Sequence, residues 1–282
     1  PEEVQRWLEA HGYGAVTRVQ PVGGGCINNG ERLRTHSGAT FFLKTNTAAP
    51  PDMFAREAEG LEALRVPDGP RVPRPYLWGA DFLLLEDLAP AAPRADFWET
   101  FGQRLAALHN HTGPAFGFAH DNYIGSTPQP NPWTDDGYTF FAEHRLGFQA
   151  RLAFTRGLLP ADDVRRVERL AARLPDLIPP QPPSLIHGDL WSGNVIADAQ
   201  GEPALIDPAA HYGWAEADLA MTALFGGFPE RFYRAYETAH PLESGYRQRF
   251  DLYNLYHLLN HLNMFGTGYL GSVQRILRQW GN

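Results

Sequence analysis

The chain has 282 residues, of which 43% are apolar, 12% aromatic and 20% charged, a composition that excludes collagen-like and disordered readings. Twenty-four basic against 32 acidic residues give a net charge of −8, the wrong sign for a surface that tracks nucleic acid or anionic lipid, so neither is expected as a partner. A single cysteine, Cys26, excludes an intramolecular disulfide, and no apolar run reaches membrane-spanning length, so a cytoplasmic protein is expected.

Residues 2 to 9 place Val4, Trp7 and Leu8 on one helical face, and Gly12 and Gly14 end that pattern. Val16 to Val22 reads as a strand running into Gly23, Gly24 and Gly25. Arg32 to His36 and Thr40 to Lys44 form a hairpin around Ser37 and Gly38, which leaves Lys44 at the end of the third strand. Met53 to Leu64 is helical, with Phe54, Ala58, Leu61 and Leu64 apolar and Glu57 on the adjoining face. The prolines between Val66 and Pro75 stop it. Phe82 to Leu85 is a short strand leading into Glu86, Asp87 and Leu88, where the lobe boundary is expected.

Helical patterns dominate from there. Phe101, Leu105 and Leu108 share one face, Val164, Val167, Ala171 and Leu174 share another, and Tyr246 to Asn263 reads as a long buried helix. Proline-dense loops run at 128 to 132 and 179 to 183. Short strands at Leu185 to His187 and Ala204 to Asp207 flank a third at Val195 to Ala197. The outline is an α+β chain in two lobes: a small sheet lobe over 1–88 with one main helix, then a larger helical lobe over 89–282 that carries a small catalytic sheet.

The stretch His187-Gly188-Asp189-Leu190-Trp191-Ser192-Gly193-Asn194 sets Asp189 and Asn194 five apart between two strands. Phosphoryl transfer to a hydroxyl needs a carboxylate to accept the proton and an oxygen ligand for the metal on the phosphates, and this spacing supplies both. Asp207 ends a strand thirteen residues further on, where a second magnesium ligand is required. Upstream stand a glycine-rich turn, Lys44 on a strand and Glu57 on a helix, in the order a kinase uses to hold phosphates. Of the 24 basic residues 23 are arginine, so the one lysine occupies a position where a compact ammonium is needed.

Gly23, Gly24, Gly25, Cys26 and Asn28 are the candidate phosphate cover, and the backbone at Glu86, Asp87 and Leu88 the candidate adenine hinge. Gly25 and Gly30 have Walker A spacing, but Glu31 and Arg32 follow them, which excludes a P-loop NTPase. Ser192, His187 and Asp189 crowd one loop without a nucleophile elbow, and His109 and His111 lack zinc-like partners.

These residues resemble the fructosamine/ketosamine-3-kinases, within the aminoglycoside-phosphotransferase and choline-kinase-like group. The likeness runs from about residue 20 to 265, through GGGCIN at 23–28, MFAREAEGLEAL at 53–64, DDGYTFFAEHRL at 135–146, HGDLWSGN at 187–194, DPAAHYGWAEADLAM at 207–221 and FGGFP at 225–229. It implies a protein-kinase-like fold and ATP- and Mg2+-dependent phosphorylation of the 3-hydroxyl of a ketoamine, free or on a lysine side chain. It also implies Asp189 as base, Asn194 and Asp207 as metal ligands, and Lys44 with Glu57 as the phosphate-positioning pair. Trp191 is a candidate wall for the sugar, and His211, Glu216 and Asp218 are candidates for the acceptor side. Only about seven residues separate Ala209 from the next apolar helix, too few for a peptide-docking activation segment, so a small acceptor is expected. Another small-molecule kinase, for an aminoglycoside, choline or homoserine, and a non-catalytic nucleotide-binding scaffold are the alternatives. Cys26 is also a candidate redox switch, acting through a Cys26–Cys26 homodimer among other products.

Overall fold

Strand geometry sends successive side chains to opposite sides, so the sheet built by the first ninety positions has two different faces. The computed structural model describes residues 1–23 and 28–281. It opens with helix α1 (Glu2–Ala10), followed by strands β1 (Val16–Val22), β2 (Asn29–Thr35) and β3 (Thr40–Thr45), helix α2 (Met53–Ala63), and strands β4 (Pro75–Trp78) and β5 (Phe82–Glu86). The five strands form one antiparallel sheet in the order β1-β2-β3-β5-β4. Phe41 and Leu43 on β3 join Phe82 and Leu84 on β5 against Val4 and Leu8 of α1. Lys44, Leu83 and Leu85 point to the opposite face, where Leu83 and Leu85 pack with Phe54, Ala58 and Leu61 of α2. β4 was not expected from the sequence: its proline starts a strand at the sheet edge, where a missing N–H is tolerated.

The chain then continues into helix α3 (Phe97–His109), the β6 (Asn122–Ile124) and β7 (Thr127–Gln129) hairpin, helix α4 (Gly137–Phe141), a π-helical turn over Ala142–Gly147, and helices α5 (Phe148–Thr155), α6 (Ala161–Ala172) and α7 (Leu174–Leu177). Strands β8 (Ser184–Ile186), β9 (Val195–Ala197), β10 (Pro203–Leu205) and β11 (His211–Gly213) precede helices α8 (Ala215–Leu224), α9 (Glu230–Ala239), α10 (Phe250–Phe265) and α11 (Leu270–Trp280). The three-strand catalytic sheet read from sequence divides into two ribbons. β9 pairs with β10, whereas β8 pairs with β11, which lies beyond Asp207 and carries no long apolar run to announce it. The helix expected from Tyr246 begins as a short 3-10 turn and becomes α-helical at Phe250. Among the described residues no helix is long and apolar enough to cross a membrane.

Arg71 ties the two lobes together. Its guanidinium bonds to Glu86 at the end of β5 and, at 2.7 Å, to Asp198 in the β9–β10 turn, while its carbonyl accepts the N–H of Leu205 at 2.7 Å. The Asp198 side chain is only 2% exposed and also accepts the N–H groups of Gln200 and Glu202. Arg71→Ala leaves this carboxylate short of a charged partner. The expected cost is about 1 kcal/mol, the low end for a hydrogen bond to a buried charge because Arg71 is partly exposed. Arg94→Ala, which breaks a more exposed pair with Glu202, should cost less than about 0.5 kcal/mol. Urea unfolding of the two variants checks the order, and equal midpoints would show that Arg71 does not join the lobes energetically.

Candidate active site

Three elements bring charge together between the lobes. Lys44 sits on β3 opposite Gly30 of β2 and Leu83 of β5, and strand alternation sends its side chain to the α2 face. There its Nζ donates to Oε1 of Glu57 at 2.5 Å and to Oδ1 of Asp207. The Lys44 and Glu57 side chains are 9% and 11% exposed, whereas Asp207 is 43% exposed and faces the cleft. Burial alone would lower the Lys44 pKa, but the charges of Asp207 and Glu57 more than offset it, and the ammonium is held well above its ordinary value. Burial raises the Glu57 carboxyl despite the Lys44 charge.

Asp207 takes a left-handed backbone conformation, with φ 55°. Aspartate tolerates this better than most residues, and such strain persists only where neighbours impose it. They do so here: the Ile206 N–H donates to Asn194 O at 3.1 Å, and the Ala209 N–H to His187 O at 2.9 Å. From the β6–β7 side Asn122 Nδ2 donates to Ala210 O at 2.9 Å and Gln129 Nε2 to Ala209 O at 3.1 Å. Tyr256 of α10 in turn donates to Gln129 Oε1 at 2.6 Å.

The loop from His187 to Asn194 is held at both ends. Asp218 of α8 accepts the N–H of His187 at 2.7 Å on one oxygen and that of Gly188 at 2.9 Å on the other. Gly188 has φ +83°, and a Cβ there would collide with the carbonyl oxygen of Ala209, so the loop requires glycine at this point. His187 Nε2 donates to Ile206 O at 2.9 Å, which leaves Nδ1 to accept the Asp189 N–H at 3.2 Å. Burial keeps the ring neutral, and it orients the loop. Asn194 Nδ2 donates to the Asp189 carbonyl at 2.8 Å and its carboxylate at 3.2 Å. Its Oδ1 is therefore directed away from Asp189, as a metal ligand requires. Burial, followed by the charge of Asp207, pushes the Asp189 carboxyl up to about 7, into the range of a useful proton acceptor.

Among the described residues no three His, Cys, Asp or Glu side chains form a metal-holding group. Asn194 and Asp207 supply two oxygen donors, which suits magnesium, a cation that completes its shell with phosphate oxygens and water.

Other expected site residues fall elsewhere. His211 is buried on β11 with Nδ1 donating to Ala209 O at 2.9 Å, and burial holds its pKa far down. Glu216 is buried too, bonded to Arg249 at 2.6 and 2.9 Å and to the Tyr253 hydroxyl at 2.8 Å. Both side chains are thus buried and hydrogen-bonded within the lobe. Asp218 is buried as well, and its two bonds to the His187 and Gly188 N–H groups anchor the catalytic loop. His109 donates to Asp218 from Nε2 at 3.1 Å and accepts the Tyr236 hydroxyl on Nδ1 at 2.7 Å. The Glu86 and Asp87 side chains are committed to Arg71 and Arg32, and Leu88 is buried, which leaves the segment's backbone for any nucleotide contact. Gly23 is exposed at the end of β1, and Asn28 accepts from Asn46 at 3.1 Å. Gly24, Gly25 and Cys26 lie outside the described residues, and the Cys26-linked homodimer gains no support from the rest of the chain.

Trp191, in the catalytic loop, is half-buried. Its ring meets Phe225 edge-on at 6.4 Å, and Phe225 lies 5.1 Å from His261 of α10. Phe225 and His261, which the sequence reading did not single out as candidates, are thereby joined to the loop; their sequence signals are the FGGFP motif and a histidine on a buried helix.

A buried Lys–Glu pair on sheet and helix, an aspartate with an asparagine five residues on, and a second, part-exposed aspartate bonded to the lysine make the arrangement of a protein-kinase-like phosphotransferase. The chain belongs to the fructosamine kinase family, whose sequence model matches residues 2–281. A Synechocystis sp. protein that carries the ketoamine kinase name is 49% identical over 269 residues, covering 94% of this chain and 90% of that one. An Arabidopsis thaliana protein named protein-ribulosamine 3-kinase, chloroplastic, is 39% identical over 98% of this chain and 86% of its own. A Thermobifida fusca crystal structure under the fructosamine-3-kinase name superposes with TM-score 0.88 at 37% identity, covering 97% of this chain and 96% of that one.

Asp218→Asn should lower both stability and turnover. An amide has one accepting oxygen where the loop presents two N–H donors, and its NH2 opposes one of them. The expected cost is about 2–4 kcal/mol, read by urea unfolding, because a buried charge network loses a partner. Although burial raises the Asp218 pKa, the hydrogen bonds from His109 and the Gly188 N–H help bring it below the ordinary 3.8. Its contribution is therefore present above about pH 4 and lost as pH falls through the lower folded value. Wild type should show a steeper acid loss than Asp218→Asn, and parallel curves would exclude the anchor.

Proposed function

We propose that the protein is an ATP-dependent ketosamine 3-kinase, which transfers the γ-phosphoryl group to the 3-hydroxyl of ribulosamine or fructosamine adducts. The observation that carries this reading is the Lys44–Glu57–Asp207 cluster facing the Asp189–Asn194 contact, in a chain 39% identical to a relative named protein-ribulosamine 3-kinase. In this reading Asp189 orients the hydroxyl and accepts its proton, and Lys44, braced by Glu57, holds the nucleotide phosphates. Asn194 and Asp207 hold magnesium, whose charge would neutralise developing negative charge on the phosphates. Trp191 supplies an apolar wall for the sugar. A phosphate on C3 leaves readily once C1 enolises, so the product breaks down and the amine is freed.

The distance between Ala210 and α8 supports a small acceptor. Only β11 and Trp214 intervene, and β11 is paired to β8, leaving no long segment to bind a peptide. The acceptor is a free ketoamine or an adduct presented on a lysine side chain. Use of ATP fits the expected cytoplasmic location. Kinases for aminoglycosides, choline or homoserine are not favoured, since the family match spans almost the whole chain.

A coupled ADP-release assay on ribuloselysine, fructoselysine, an aminoglycoside, choline and homoserine tests the reading: turnover of ketoamines is expected, and turnover of only another alcohol would overturn it. Asp189→Asn should lower kcat about 10²- to 10⁴-fold with little change in ATP affinity, because the amide cannot accept the proton. Retention of half the activity by folded variant removes Asp189 from the base role. Lys44→Arg should also lose most kcat/KM for ATP, because the wider fork disturbs both the phosphate contact and the Glu57 pair. Wild-type kcat/KM would mark Lys44 as dispensable.

A further inference from the structure

The ring system that begins at Trp191 does not stop at the cleft. His261 lies against three aromatic rings, with centroids 5.1 Å from Phe225, 5.5 Å from Phe265 and 5.1 Å from Tyr269. Phe265 and Tyr269 also meet each other at 6.2 Å. Trp191, Phe225, His261, Phe265 and Tyr269 thus form one unbroken path from two residues past Asp189 to the protein surface. Its outer part is open: Phe225 is 37% and Phe265 53% exposed. Tertiary structure makes this path, because its members come from the catalytic loop, the end of α8, α10 and the 3-10 turn before α11.

Local conformation holds the outer rings in place. Gly266 ends α10 with φ 86° and ψ −167°, a combination essentially restricted to glycine, and turns the chain so that Tyr269 returns against Phe265. His261 Nδ1 donates to His257 O at 2.7 Å, since a carbonyl only accepts; Nε2 is then an unprotonated acceptor, and burial keeps the ring neutral. The rings therefore surround an uncharged imidazole.

Exposed aromatic rings linked by contact to the catalytic loop offer a binding surface. A ketoamine has two parts: a polar sugar, and a secondary amine that is cationic near neutral pH and carries an alkyl or aryl group. Resting on the kinase reading above, we infer that Phe225, Phe265 and Tyr269 form the subsite for the amine half of the acceptor. The ammonium lies against the ring faces, and its apolar carrier covers Phe265. Aromatic faces attract cations through the ring quadrupole and also bury aliphatic or aryl surface, so both features of this half are matched by one patch.

The test uses the whole chain and acceptors that share one sugar: fructosamine without a carrier, its N-butyl and N-benzyl derivatives, and 1-O-benzylfructose, a neutral counterpart of the N-benzyl compound. Wild type should favour the N-benzyl over the carrier-free ketoamine about tenfold in kcat/KM, and over the ether by about 2- to 30-fold. The difference should appear in KM rather than kcat, because these rings do not touch the 3-hydroxyl. Phe265→Ala should reduce both preferences toward unity. Phe265→Leu, which keeps apolar area but no ring, should lose mainly the ammonium-over-ether preference. Trp78→Ala removes an equally exposed aromatic from β4 in the other lobe and should keep the wild-type ratios. Ketoamine turnover with no carrier preference, or a Phe265→Ala variant with unchanged ratios, overturns the subsite alone. No turnover of any ketoamine overturns the kinase reading and the subsite with it.

Discussion

A buried ammonium is tolerated only beside anionic groups that replace its lost hydration. Lys44 meets that condition with Glu57 from α2 and Asp207 from the far lobe, so one side chain couples sheet, helix and catalytic segment. A pair of this kind is weak evidence for stability, because desolvation cancels much of the attraction; its value lies in fixing position. With Lys44 on the α2 face of β3, the two carboxylates have a defined distance to keep. The cleft between them is where phosphate charge would be received.

The rest of the lower lobe serves to hold backbone. Asp218 binds two consecutive N–H groups of the catalytic loop and is itself fixed by His109 and Tyr236 from α3 and α9. On the other side Gln129, Asn122 and Tyr256 secure the carbonyls that follow Asp207. His187 is one joint of this network: its neutral ring donates from Nε2 and accepts on Nδ1, linking two backbone segments without burying charge. The proposed base Asp189 and the proposed metal ligand Asp207 thus stand on a hydrogen-bonded polar frame, which is how positioning alone can lower a barrier.

The proposed acceptor side is built differently. Aromatic rings from four separate elements meet there, and Phe225 and Phe265 are exposed. Rings have few rotatable bonds and lose little freedom when a ligand settles on them, so a surface of this type selects by shape and charge without a hydrogen-bond network. The polar frame and the aromatic path meet at the catalytic loop, where Asp189 and Trp191 are two residues apart.

Sequence alone determined the parts whose physics is local. Short runs bounded by glycine and turn residues marked β1, β3 and β5, helical spacing marked α2, α3 and most of α10, and the order of glycines, Lys44, Glu57, Asp189, Asn194 and Asp207 carried the phosphoryl-transfer reading. Only tertiary structure decided what depended on distant partners. β4, β6, β7 and β11 are three or four residues long, too short for periodicity to show, and exist because a neighbouring strand completes their hydrogen bonds. Glu216 and Asp218 look alike in sequence, both acidic in the first turn of α8, yet one is absorbed by Arg249 from a residue run 33 positions away and the other by the backbone of the catalytic loop. Which carboxylate reaches an arginine, and which meets a pair of N–H groups, is set by how helices pack. The same holds for Phe225, His261, Phe265 and Tyr269, whose adjacency arises from the turn at Gly266 and the approach of α8 to α10.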